Sequence, residues 1–164
     1  MHIYFTRTVP KYMRLYAHFA ARQLGVHELR GSIDIHLSKG TIAGHSFGLC
    51  WGDNREAEIL LGSRQFGETI SQEDKLKTLG HELVHARQYL RRELIPKEGS
   101  YNKCVWKGKK YTYDPADETS QPWEVEATEL EETLYTAWQA ILDAGSIRLD
   151  LLEDILSEEP FSNV

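Results

Sequence analysis

Residues 78–89, Thr78-Leu79-Gly80-His81-Glu82-Leu83-Val84-His85-Ala86-Arg87-Gln88-Tyr89, decide how the rest of the chain is read. They contain His-Glu-x-x-His. On a helix, positions four apart stack on one face, so His81 and His85 can each aim a ring nitrogen at one metal ion. Glu82 stands about 100° round the helix from His81, where its carboxylate serves a water beside the metal better than the metal itself. The stretch therefore supplies two ligands and a base. His81, His85 and Gln88 fall on one stripe, while Leu76, Leu79, Leu83, Ala86 and Leu90 make a separate apolar stripe for a core. Ser71, three residues before Asp74, has the form of an N-terminal cap, and Pro96, just past Leu94, is the expected stop. Gly80 costs a helix interior about 1 kcal/mol against alanine, which predicts a strand backbone packed closely there.

A chain of 164 residues suits one domain, 1–164, large enough to bury a core without staples. Cys50 and Cys104 are too few for a disulfide framework and are not spaced as a zinc ribbon or redox pair. The N-terminus has no signal-peptide pattern, and no stretch approaches the roughly 18 apolar residues of a membrane span. These features predict a soluble, cytoplasmic protein with no membrane partner. The net charge of −6 is unevenly spread: residues 1–113 hold 18 Lys and Arg against 11 Asp and Glu, and residues 114–164 hold one Arg against 14 acids. The acidic final third would repel a phosphate backbone, so nucleic-acid binding is not indicated. The simpler expectation is that both charged regions are solvated faces.

Working outward from the central helix, Pro10 opens a first helix with Met13, Tyr16, Ala17, Ala20 and Leu24 at helical spacing, closed by Gly25. Residues 32–38 alternate, with Ile33, Ile35 and Leu37 on one face and Asp34 and His36 on the other. After a turn at Gly40, Phe47, Leu49 and Trp51 share a face, Gly52-Asp53-Asn54 turns again, and residues 57–61 form a third strand. A small three-stranded sheet packed with helices follows, an α+β arrangement. His18, His27, His36 and His45 lack ligand spacing, and the last two are expected to face solvent. Residues 104–106 and 111–113 read as a hairpin turning at Gly108. A last long helix starts at Ser120-Gln121-Pro122, carries Trp123, Ala127, Leu130, Leu134, Trp138 and Ile141 on one face, and ends at Gly145. A short amphipathic helix is expected at 147–156 and a frayed tail at 157–164.

Two histidines leave a catalytic metal one protein group short. No histidine follows His85, which turns attention to carboxylates near the start of the last helix. Glu124 and Glu126 flank its apolar stripe on opposite sides, and periodicity alone does not choose between them.

At this point the chain resembles the zincin metallopeptidases, and among them the gluzincin type, in which a glutamate on a later helix completes a zinc site. Related families carry Glu-x-x-Ala, which Glu124-Val125-Glu126-Ala127 matches, with the small Ala127 allowing close helix approach. His81 to Tyr89, then Trp106-Lys107-Gly108, then Pro122-Trp123-Glu124 are also similar to small predicted metallopeptidases encoded by tailed phages. That likeness covers about residues 71–131. It implies a minimal zincin-like domain in which His81, His85 and Glu124 bind Zn2+ and Glu82 is the general base for hydrolysis of a protein or peptide substrate. Many zincins add a Tyr or His donor for the oxyanion, a role for which Tyr111 and Tyr113 on the hairpin are candidates. Glu131 and Thr128 lie on the Glu124 side and are candidates for orienting the histidines, although many gluzincins have Asp where this chain has Thr128. Glu126 and Glu129 should meet solvent or a salt-bridge partner. Strand 57–61 is a candidate edge for a peptide to lie on as an added strand. Two alternatives are a non-catalytic zinc-binding or interaction module, and a DNA-associated protease like the SprT group. Intact Glu82 argues against the first, and the missing zinc ribbon and the acidic final third argue against the second.

Overall fold

The computed structural model describes residues 1–42, 47–100, 102–114, 116–117 and 119–145. The expected helix at 147–156, the tail and His45 lie outside them.

The first unit is β1 (His2–Phe5), α1 (Lys11–Gln23), a 3-10 turn (Val26–Glu28) and β2 (Ser32–Leu37). β3 (Gly48–Gly52), β4 (Glu56–Leu61) and a two-residue hairpin, β5 (Arg64–Gln65) with β6 (Glu68–Thr69), follow. Then come α2 (Gln72–Leu90), the strands β7 (Leu94–Pro96), β8 (Lys103–Trp106) and β9 (Lys109–Thr112), and α3 (Pro122–Asp143). The chain is thus mixed α+β.

The main sheet has four strands in the order β1-β2-β4-β3, not three strands joined by tight turns. β1 pairs with β2 and β2 with β4 in parallel, and only β3 runs antiparallel. The four residues of β1 are too few for their alternation to stand out in the sequence, yet Ile3 and Phe5 point into the core. The turn at Gly40 does not fold β2 onto the next strand. Instead the Gly52-Asp53-Asn54 turn closes β3 onto β4, with the Asp53 carboxylate accepting from the amides of Arg55 and Glu56 at 2.6 and 3.1 Å. β4 is consequently central, and residues 57–61 are not the sheet edge that the sequence suggested. The free edge on that side belongs to β3, whose outward residues Leu49 and Trp51, with Phe47 just before the strand, stay about two-fifths exposed. His36 lies on the same outer face, half-buried, 3.5 Å from Glu58.

The helices cover the other face. Ile33, Ile35, Ala57, Ile59 and Leu61 pack in one core with Met13, Tyr16 and Ala17 of α1, Leu76, Leu79 and Leu83 of α2, and Ala127, Leu134 and Trp138 of α3. Each large member cut to alanine would cost about 2–5 kcal/mol. Among the described residues no helix is long and apolar enough to cross a membrane.

α2 begins as expected, with Ser71 Oγ accepting from the Asp74 amide at 3.0 Å and donating to its carboxylate at 2.6 Å. It ends earlier than Pro96 implied, because Arg92 turns left-handed (φ 59°) and the Glu93 amide closes on the Gln88 carbonyl at 2.8 Å. Residues 94–96 then join the β8–β9 hairpin as a third strand. The hairpin turns through Lys107 (φ 44°) and Gly108 (φ 82°), the paired positive angles that suit the twist of a two-residue loop. A second cluster of Leu94, Cys104, Trp106 and Trp123, with Tyr89, Tyr111 and Tyr113 against it, ties this small sheet to the start of α3. Cys50 and Cys104 are free thiols.

The close neighbour of Gly80 is not a strand. A Cβ there would meet the Tyr16 hydroxyl of α1 at 2.7 Å and Leu134 of α3 at 3.7 Å, because α2 is flanked by two helices at that point. The tight approach of strand to helix occurs at Gly48 of β3, where a Cβ would stand 2.6 Å from Glu82 Oε1 and 2.7 Å from Thr78. Tyr16 is fully buried and its hydroxyl has no hydrogen-bond partner among the described residues. Gly80→Ala should therefore lose about 1–3 kcal/mol by overpacking, despite a gain of about 1 kcal/mol in helix propensity. Tyr16→Phe in the same chain removes the opposing oxygen and should restore most of the loss. Urea unfolding of the two single variants and the double variant checks this; a Gly80→Ala protein more stable than the parent would mean that the contact is not tight.

Candidate metal centre

The i, i+4 spacing on α2 brings the two imidazoles edge to face, with centroids 4.8 Å apart and Nε2 atoms 3.1 Å apart. Glu124, in the first turn of α3, places Oε2 3.3 Å from both Nε2 atoms. These three side chains are the one set of potential ligands brought together among the described residues, all donor atoms within 4.8 Å of one another. The cluster can hold a metal ion.

The outer ring nitrogens are already engaged. Glu131, two turns after Glu124 on α3, accepts from His81 Nδ1 at 3.1 Å. Gln88 Oε1 accepts from His85 Nδ1 at 2.8 Å. The orientation of the Gln88 amide is fixed by its other contacts, since its Nε2 donates to the Trp123 carbonyl at 3.1 Å and to Glu126 at 2.9 Å. Only the oxygen is left to face His85, so His85 must donate from Nδ1 and keep the Nε2 lone pair free. Both histidines are held in the tautomer a metal requires, and that is the observation on which the fit to a metal rests.

Electrostatics agree with that arrangement. Burial works against a charge on His81, but hydrogen bonds to Glu124 and Glu131 and the nearby Glu82 raise it to about 10. Burial likewise opposes the Glu124 carboxylate, yet hydrogen bonds and charge from His81 and His85 hold it down to about 2.

Glu82 is buried at 6% exposure beside β3, and burial raises its pKa against the opposing pull of His85 and His81. Cys50 of β3 faces the same spot, its thiol pushed well up by burial and by the charge of Glu82. Glu126 turns away from the histidines into a separate network, 2.6 Å from Arg87 Nη2 and 2.8 Å from Lys107 Nζ. Those partners hold its carboxyl below the usual range although burial opposes them.

Tyr111 and Tyr113 pack edge-on against Trp123, at 6.1 and 5.3 Å between centroids, next in the chain to Glu124. Thr128 is exposed and makes no hydrogen bond to either histidine; its place on the helix face carries it past them to solvent. The role of Gln88 was missed in the sequence, though its position three residues after His85, on the histidine stripe, was a signal. Compared with protein-family models and with curated proteins, the sequence matches none.

Glu124→Ala should weaken metal binding by more than the roughly 10–100-fold typical of an outer partner. Gln88→Leu should fall within that range. Glu126→Ala should lower the unfolding temperature, since it takes one partner each from Arg87, Gln88 and Lys107, but keep the metal. Metal stoichiometry after dialysis and calorimetric titration distinguish the three; loss of metal from Glu126→Ala with retention by Glu124→Ala would move the ligand.

Proposed function

We propose that the protein is a zinc-dependent metallopeptidase of the zincin, gluzincin-like kind. What carries the reading is the triangle of His81 Nε2, His85 Nε2 and Glu124 Oε2 with buried Glu82 beside it. Tetrahedral zinc with bonds of about 2.0–2.1 Å separates neighbouring donors by about 3.3 Å, and the three edges here measure 3.1, 3.3 and 3.3 Å. Two imidazoles and one carboxylate suit zinc, and three protein ligands with an open fourth position are the mark of a catalytic rather than a structural site. A zinc ion in this position supplies Lewis acidity, lowering the pKa of a water towards about 7 and polarising a carbonyl.

The chain's own groups do the rest. Glu131 and Gln88 keep the two rings fixed, so that the histidines need no rearrangement to bind. Glu82, next to His81 but off the histidine stripe, takes a proton from the attacking water and passes it to the departing amine nitrogen as the C–N bond breaks. Its burial brings its proton affinity nearer neutrality, where a group that must both accept and donate works best. The free edge of β3 lies beside Glu82 and offers main-chain pairing to an extended peptide. Leu49 and Trp51 would flank that peptide on the outer face.

Glu82→Gln should retain zinc and lose hydrolysis by about 10²–10⁴-fold, the usual contribution of a general base. The assay is cleavage of a random peptide library by the zinc-loaded protein, followed by mass spectrometry. Undiminished cleavage by Glu82→Gln, or none by the parent protein, would end the peptidase reading. Zinc loss on the substitution would make Glu82 a ligand.

A further inference from the structure

α1, α2 and α3 all pack on one face of the main sheet, so the other face has no partner among the described residues. On that outer face β3, the strand with the free edge, exposes two large apolar side chains, Leu49 and Trp51. The register sets Tyr4, Asp34, Glu58 and Trp51 in one row across the four strands. Three of that row, Asp34, Glu58 and Trp51, line a hollow of about 410 Å³ together with Gly52, Asp53 and Glu56. Its wall is therefore one indole ring and four carboxylates. Asp53 is engaged by the turn amides of Arg55 and Glu56, and Glu58 lies 3.5 Å from His36. Asp34 and Glu56 make no side-chain hydrogen bond or ion pair among the described residues. The apolar strip along the edge thus runs into a negatively charged hollow, and what complements both is a cation on an apolar stem.

We infer that this hollow receives a Lys or Arg side chain of the peptide paired on the β3 edge. The inference rests on the peptidase reading and narrows its substrates to segments with a basic residue at a fixed distance from the cut. Along β3, Gly48 faces Glu82 while Leu49 and Trp51 face outward. A strand added about 4.8 Å beyond β3 repeats that alternation. Its residue beside Trp51 projects on the outer face, three places and about 10 Å along from the residue beside Gly48 and Glu82. A Lys or Arg there lays its stem across the Trp51 ring and extends its charge toward Glu58 and Asp34, the next members of the row. Arg suits the place better, since a planar guanidinium both stacks on indole and pairs with carboxylates. Ala cannot reach the acids, and Asp or Glu would meet four like charges. A second copy of the chain, paired by the same edge, would bring another acidic hollow to the seam and complements the face less well.

The test uses the zinc-loaded full-length protein and the cuts it leaves in a random peptide library. Lys and Arg should be enriched about three- to tenfold at one position, about three residues from the cleaved bond. Asp34→Asn with Glu58→Gln removes two charges at nearly constant size; it should abolish the enrichment and keep the parental unfolding temperature. On a matched pair of peptides with Arg or Ala at that position, the parent should show a KM about three- to tenfold lower for Arg, with kcat within about twofold, and the double variant should treat the pair alike. Glu82→Gln, which binds without cutting, should show the same Arg preference in direct titration of the two peptides, and adding Trp51→Thr should remove most of it. Cleavage with no basic preference, or a preference that survives both the double variant and Trp51→Thr, overturns the inference and leaves the peptidase standing. So does a parent that sediments as a dimer and becomes a monomer on Trp51→Thr, which gives the face to a second copy. A parent that cleaves nothing removes the peptidase reading and this inference with it.

Discussion

Gln88 is wholly buried, so every hydrogen bond of its amide has to be made inside the protein. Its nitrogen reaches the Trp123 carbonyl and the Glu126 carboxylate, and its oxygen takes the Nδ1 hydrogen of His85. One side chain of α2 thereby positions the first turn of α3 and the tautomer of His85. Moving α3 by an ångström would break two of these bonds and carry Glu124 away from both histidines. An unsatisfied buried amide costs about 1–3 kcal/mol, so the helix pair has one favoured register, and the triangle of donors is set by it. Glu124 is not held at the histidines by its own strength.

The charge asymmetry of the chain finds its explanation at the same interface. The acidic final third does not simply face water: on α3, Glu131 meets His81, Glu126 meets Arg87 and Lys107, and Glu132 meets Lys77. Acids from the last helix are matched against cations of α2 and the hairpin, and the expectation of two independent solvated faces was wrong for these residues. Glu132 and Lys77 are partly exposed, and such pairs add little to stability. Their value is in sorting. Glu126 is claimed by Arg87 and Lys107, which leaves Glu124 as the carboxylate free to face the imidazoles.

How much of this could be read beforehand depends on the range of the cause. The cap at Ser71, the ends at Gly25 and Gly145, the hairpin at Gly108 and the i, i+4 histidines are local, and their residues announce them. The α+β class follows from periodicity in the same way. The sheet order does not. Parallel pairing of β2 with β4 depends on where the chain returns after β3, and the four residues of β1 carry no visible signal until Ile33 and Ile35 lie beside them. Pro96 marked a stop that Arg92 had already made, because a left-handed non-glycine residue is dictated by tertiary contacts rather than by its own preference. At the site, the helical stripe put Gln88 with the histidines, but a polar residue on a stripe looks the same whether it faces a carboxylate or water. Only packing tells which.

Gly80 and Gly48 illustrate the same limit in reverse. A glycine inside α2 was a fair sign of close packing, and close packing is there, but the partner is the Tyr16 hydroxyl instead of a strand. The strand approaches on the opposite face of α2, at Gly48 against Thr78 and Glu82, where it is the strand and not the helix that gives up its side chain. That choice has a chemical consequence. A side chain at position 48 would occupy the volume of the Glu82 carboxylate, so glycine on β3 lets a buried acid lie directly under a free strand edge. Had α2 carried the gap opposite a bulky strand residue, the helix could have packed as closely, but the Glu82 carboxylate would have been pushed away from that edge. The close approach of β3 to α2 and the placement of Glu82 are one packing solution, and it requires the smallest residue on the strand side.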